Sequence, residues 1–116
     1  MKTTTSKKML FALALTAEAI ISAPANAAQA TPWATVAAIQ DGWVVDRMLV
    51  FHNDPNMTNP DICPIVTNGY IIKETDPVRK TSYDMLIAAI ANSRQVSFVI
   101  DGCFAGRPRI VSVSLR

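Results

Sequence analysis

The sequence predicts a small, mainly β domain with one helix, in the order β-β-β-α-β-β. Three observations predict it. Short apolar stretches rich in Val, Ile and Phe recur between turn signals. One segment, Tyr83 to Ile90, carries helical spacing instead, and it lies between the third and fourth of those stretches. The chain has 116 residues, enough for one domain and too few for a doubly wound sheet or a (β/α)8 barrel.

The elements follow in order. Ala34 to Gln40 reads as a first strand, with Val36 and Ile39 as its larger apolar residues. Asp41-Gly42 is a two-residue hairpin signal, since both central positions of that turn need positive φ. Trp43 to His52 is the returning strand. It is apolar on both faces, which calls for a core on one side and a helix or a neighbouring subunit on the other. Asn53 to Pro64 is a loop dominated by Asn, Asp and Pro. Ile65 to Lys73 is a third extended piece with a bend or bulge at Asn68-Gly69.

Asp76-Pro77 then opens the helix, as an N-cap carboxylate followed by proline at the first helical position. Tyr83, Leu86, Ile87 and Ile90 form its apolar face, and Asn92-Ser93 ends it. Gln95 to Asp101 alternates, with Val96, Phe98 and Ile100 on one side; Gly102-Cys103 turns the chain. Arg109 to Leu115 alternates again, with Val111, Val113 and Leu115 facing one way. Five strands with a helix between the third and fourth match the OB-fold, a small partly open barrel, with the helix plugging one end. The alternative is a flat α+β sheet packed on one helix.

The N-terminus reads as a secretory leader over residues 1–27, leaving a single domain over 28–116. Lys2, Lys7 and Lys8 precede an apolar run from Met9 to Thr16, and Ala25-Asn26-Ala27 offers a cleavage site, with Ala28-Gln29-Ala30 as a second choice. Glu18 interrupts the apolar stretch, which argues against a membrane anchor. Removing this segment removes three lysines and one glutamate, which carry the whole formal charge of +2. The exported chain is electrically balanced, so nucleic acid is excluded as a natural partner. Export to the periplasm or beyond also suits the two cysteines. Cys63 and Cys103 are expected to form a disulfide closing 40 residue steps, a staple that a domain of this size often needs.

Catalysis is poorly supplied. His52 is the single histidine, no nucleophile elbow surrounds any serine, and the thiols are used in the bridge. The Asn/Asp-rich loop lacks the alternation of a calcium loop, and no cofactor or metal motif occurs. Binding is better supplied. Trp43, beside the hairpin turn, offers a flat apolar face for stacking on a sugar ring, and Asp41 lies next to it. Arg107-Pro108-Arg109 is a short basic turn able to grip a carboxylate or phosphate.

The stretches Tyr83-Asp84-Met85-Leu86-Ile87-Ala88-Ala89-Ile90-Ala91, Gln95-Val96-Ser97-Phe98-Val99 and Ile110-Val111-Ser112-Val113-Ser114-Leu115 resemble the B subunits of subtilase-cytotoxin-like and pertussis-like toxins. The resemblance covers about residues 35–115 at the level of topology. It implies an OB-fold, assembly into a homopentamer and recognition of host-surface glycans. No glycan-contacting motif of those subunits maps onto this chain, so the resemblance transfers no site residue. The competing expectation is a periplasmic structural or inhibitory protein that binds another protein through the loop Asn53–Pro64.

Overall fold

A computed structural model describes residues 27–42, 46–67 and 69–116. The leader reading, apart from Ala27, lies outside the described residues, as do Trp43 and Asn68. The elements are β1 (Gln29–Ala30), β2 (Ala34–Asp41), β3 (Arg47–His52), β4 (Tyr70–Lys73), α1 (Pro77–Ala91), β5 (Gln95–Phe104) and β6 (Arg107–Leu115). β2 pairs antiparallel with β3, and β3 with β4. β4 runs parallel to β6, β6 antiparallel to β5, and β5 returns to β2. The ring therefore closes in the strand order of the OB-fold, and the flat sheet is excluded.

β1 extends this plan at the N-terminal side. Gln29 and Ala30 pair with Ile100 and Val99. Thr31 is buried just beyond; its Oγ1 accepts the Phe98 amide at 2.9 Å, and its carbonyl accepts the Ser97 hydroxyl at 2.7 Å. A cleavage after Ala30 would remove this strand, whereas one after Ala27 would leave it.

The core fills the ring. Met48, Val50, Tyr70, Ile72, Val96, Phe98, Ile100 and Ile110 are buried there, and Leu86 and Ala89 of α1 close one end. β6 owes its inward side to a bulge. Val99 pairs with Ser112 and Ile100 with Ile110, so Val111 has no partner and the alternation reverses around it. Ile110, Val113 and Leu115 consequently all face the core, which strict alternation from 109 to 115 does not anticipate.

Four local expectations are corrected. The β2–β3 connection is not a two-residue turn: Asp41 is still paired, with Met48, and β3 starts at Arg47. The third extended piece is regular only over Tyr70–Lys73. Gly69 before it has φ +88°, and a Cβ there would meet the Val50 carbonyl oxygen at 2.9 Å, so the approach of the two strands requires glycine. Gly102-Cys103 does not turn the chain, because β5 continues to Phe104 and the turn is Ala105-Gly106.

Helix α1 is the fourth. It starts at Pro77 as expected, but the Asp76 side chain makes no capping bond. Ser82, Leu86 and Ala89 face the core, while Tyr83, Ile87 and Ile90 stay 40–45% exposed. The helix is apolar on more than one side, so spacing alone does not choose between stripes.

The outer face of β3 and β4 is also covered. Leu49 and Ile71 alternate away from the core residues yet are buried. Phe104 lies on that side, against Arg47 and Lys73. The Cys63–Cys103 disulfide, with Cα atoms 5.8 Å apart, and the Ile65 amide bond to Gly106 tie the preceding loop to the same hairpin tip. The double burial of this strand is met within the chain, so neither a helix nor a second subunit is needed there.

Candidate functional site

The two ends of β3 gather most of the chemistry. At the C-terminal end, His52 has no exposed side-chain surface. Its Nε2 lies 3.1 Å from the carbonyl oxygens of both Ala34 and Val96. Both partners are acceptors, so Nε2 carries hydrogen. Nδ1 lies 3.3 Å from Asp54 Oδ1 and makes no hydrogen bond. The other carboxylate oxygen accepts the Tyr70 hydroxyl at 2.7 Å, and that hydroxyl accepts the Thr58 amide, also at 2.7 Å. Burial, and then the bond to Asp54, push the Tyr70 phenol above its usual pKa. The His52 and Phe98 rings lie 4.7 Å apart at the edge of the core.

A cleft of about 220 Å³ opens beside this network, lined by Phe51, Met57, Val66, Thr67 and the network's outer edge. His52, Asp54 and Tyr70 line it as well. The network anchors the long loop to the barrel by a charge-assisted and hydrogen-bonded contact.

The N-terminal end of β3 is different. Arg47 stands directly opposite Lys73 on β4, so both side chains project from the same face. The Arg47 guanidinium carbon is 5.4 Å and the Lys73 ammonium 5.3 Å from the centre of the Phe104 ring. Arg47 Nε also donates to Asp46 at 2.8 Å. That bond, with help from the Lys73 charge, holds the exposed Asp46 carboxyl below its usual range.

The residues singled out from sequence fall elsewhere. Asp41 accepts Arg79 Nη2 at 2.6 Å, and Arg79 continues to Glu74 at 3.2 Å, a helix-to-strand ion-pair chain. Arg107 is buried at the start of β6, opposite Phe104. Arg109 Nε donates to the Asp101 carbonyl at 3.3 Å and lies 4.0 Å from Asp76. The basic turn is thus two strand residues with internal partners, not an open fork. Arg47 and Lys73 were missed because 26 positions separate them. Only the β3–β4 register, with Gly69 ahead of β4, could have joined them from sequence.

The loop adds one exposed feature. Ile62 is 82% exposed with φ +52°, a region that a β-branched residue rarely adopts. Its flanks are fixed. Asn59 exchanges two side-chain bonds with the Cys63 backbone at 2.8 and 3.0 Å, and Asp61 accepts the Gly102 amide at 2.6 Å. Among the described residues, no group of three or more His, Cys, Asp or Glu side chains is placed to hold a metal ion, and no helix is long and apolar enough to cross a membrane. No family model matches the chain, and no curated protein or solved structure does either.

Proposed function

We propose that the domain is an exported, non-catalytic binding module that holds glycans at the Arg47–Lys73 end of the outer β3–β4 face, beyond the covered Leu49 and Ile71, in the manner of toxin B subunits. The observation that carries this reading is the ring itself. It closes in OB order and leaves Arg47 and Lys73 projecting side by side from the second and third barrel strands, next to Phe104. The face of the second and third strands is where OB-folds hold oligosaccharides and oligonucleotides. The balanced charge of the chain without its leader favours the sugar. The disulfide is compatible with an oxidising compartment.

Assembly into a pentamer belongs to the same proposal. Its support is the Tyr83–Ile87–Ile90 stripe, an apolar helix surface that the barrel leaves uncovered. A glycan array probed with the exported chain, together with light scattering after gel filtration, tests both parts. The expected results are selective retention on a set of related glycans and a mass five times that of one chain. A monomer that retains no glycan would refute the toxin-like reading.

A second reading is favoured by one observation, the strained Ile62 at the apex of a pinned loop. Strained, exposed residues of this kind are held where function uses them. In this reading the loop Asn53–Pro64 inserts Ile62 into an apolar pocket of another exported protein and blocks it. Ile62→Gly relaxes the backbone and deletes the side chain. A protein partner lost on this substitution, with the fold intact, would favour the inhibitor over the lectin.

A further inference from the structure

We propose that the cleft at the His52 end of β3 is a binding site for a primary ammonium group on a short apolar body. It lies at the opposite end of the strand from Arg47 and Lys73, so it does not depend on the glycan reading.

Two atoms beside this cleft lack a donor. His52 Nδ1 is buried without a hydrogen-bond partner, 3.3 Å from Asp54 Oδ1. Nε2 holds the ring hydrogen against the carbonyls of Ala34 and Val96, which leaves Nδ1 of a neutral imidazole as an acceptor. Asp54 Oδ2 accepts the Tyr70 hydroxyl, whereas Oδ1 receives no hydrogen bond among the described residues. The Asp54 side chain is 4% exposed, and among the described residues no lysine or arginine pairs with it. A carboxylate withdrawn this far from water is costly unless it meets a cation or a full set of donors. A primary ammonium is both: one hydrogen reaches Oδ1, a second reaches Nδ1, and the charge faces the carboxylate.

The walls select the rest of the ligand. Phe51, Met57 and Val66 give the cleft apolar surface, and Tyr70 adds a second aromatic ring. Aromatic faces attract ammonium groups and also pack against hydrocarbon. Gly69 shapes this wall, since a Cβ there would come within 3.1 Å of the Phe51 ring. The cleft measures about 220 Å³. A cavity of about 150 Å³ already holds benzene, so the body is roughly one ring or a four-carbon chain. A quaternary ammonium has the charge without the hydrogens. A hydroxyl has a hydrogen without the charge. Both are expected to bind more weakly, and an anion is opposed by Asp54 itself.

The test is a titration of the 15N-labelled full chain at neutral pH, followed through the His52 ring nitrogens and the backbone amides. The probes are butylammonium, butyltrimethylammonium, butanol and butyrate. In the ligand-free chain Nδ1 is expected to give the signal of an unprotonated acceptor nitrogen. Butylammonium should then cause saturable shifts at Phe51, His52 and Asp54. Butanol and butyltrimethylammonium should bind at least tenfold more weakly, and butyrate should move none of these residues. Acetyl-lysine amide offers the same ammonium on a peptide backbone. Binding as tight as that of butylammonium would make the natural source a lysine of a partner protein, and its exclusion would make it a free amine; the ammonium site stands in either case.

Asp54→Asn keeps an oxygen for the Tyr70 hydroxyl and removes the charge, so it should weaken butylammonium at least tenfold. Val66→Trp blocks the cleft from an exposed wall position and should abolish binding without touching the network, which keeps the site testable if the Asp54 variant unfolds. Protons on both His52 ring nitrogens in the ligand-free chain would make the imidazolium the partner of Asp54 and overturn the proposal. Butanol binding as tightly as butylammonium, or butylammonium shifts unchanged in Val66→Trp, would also overturn it. Glycan retention without amine binding would remove this inference alone, and amine binding without glycan retention would remove the glycan reading alone.

Discussion

The two ends of β3, a strand of six residues, treat charge in opposite ways. At His52 the polar groups are buried and most have partners, two carbonyls for Nε2 and a phenol for the Asp54 carboxylate, while Nδ1 lies 3.3 Å from that carboxylate without a hydrogen bond. At Arg47 two cations share one aromatic ring and one exposed carboxylate. Buried polar groups must be satisfied within the fold or they cost stability. Groups at the surface are free of that demand, so an imbalance there persists and can be met by a ligand. The contrast fits a structural role for the partnered groups at the histidine end and the proposed recognition role at the arginine end, although a lone histidine looks the more reactive feature in the sequence.

The largest expected effect reaches the Arg47 end through its support. Replacing Cys63 and Cys103 by Ala is expected to lower stability by about 4 kcal/mol, the loop-closure term for a 40-step ring. Urea unfolding of the oxidised and substituted chains measures it. The His52 network is expected to survive in the folded fraction, because its bonds join His52, Asp54, Thr58 and Tyr70 to one another and to β2 and β5 without involving either cysteine.

Tyr70→Phe sharpens the other half of the comparison. It leaves Asp54 Oδ2 and the Thr58 amide buried without their partner, at a cost of about 1–3 kcal/mol. The pH dependence follows from the same group. Tyr70 has a raised pKa in the folded chain, so its contribution is fully present below the unfolded value of about 10 and is lost as pH rises above it. Unfolding midpoints of the native chain should fall above about pH 10, and Tyr70→Phe should remove that part of the slope.

The smallest stability effect is expected at the recognition end. Lys73→Met should change stability by less than about 0.5 kcal/mol, as for exposed charges without a buried partner. A loss as large as that of Tyr70→Phe would show that Lys73 is a structural cation and would erase the difference between the two ends.

Much of the architecture was legible in the residues. Val96, Phe98 and Ile100 alternate in a strand that does alternate, Asp76-Pro77 starts the helix, and an even cysteine count in a small chain gives the bridge. What escaped was set by relations between elements. The unpaired Val111 reverses the inward side of β6, and no local pattern marks a bulge without glycine. Ser82 and Ala89 face the core because small residues let α1 approach the barrel, so the larger Tyr83, Ile87 and Ile90 were left outside. The candidate site escaped for a similar reason. Arg107 and Arg109 are adjacent in sequence and attract attention together, whereas Arg47 and Lys73 become neighbours only through strand register.

The closure between β4 and β6 rests on one register pair, Ile71 with Arg109, in the only parallel junction described in the ring. A hoop parts at its narrowest weld. Breathing of the wall is expected to begin at that seam, where few ladder bonds must break together. Because β4 also carries Lys73, such an opening would unseat one of the two cations while β3 kept the other, coupling the grip on a ligand to the integrity of the weld.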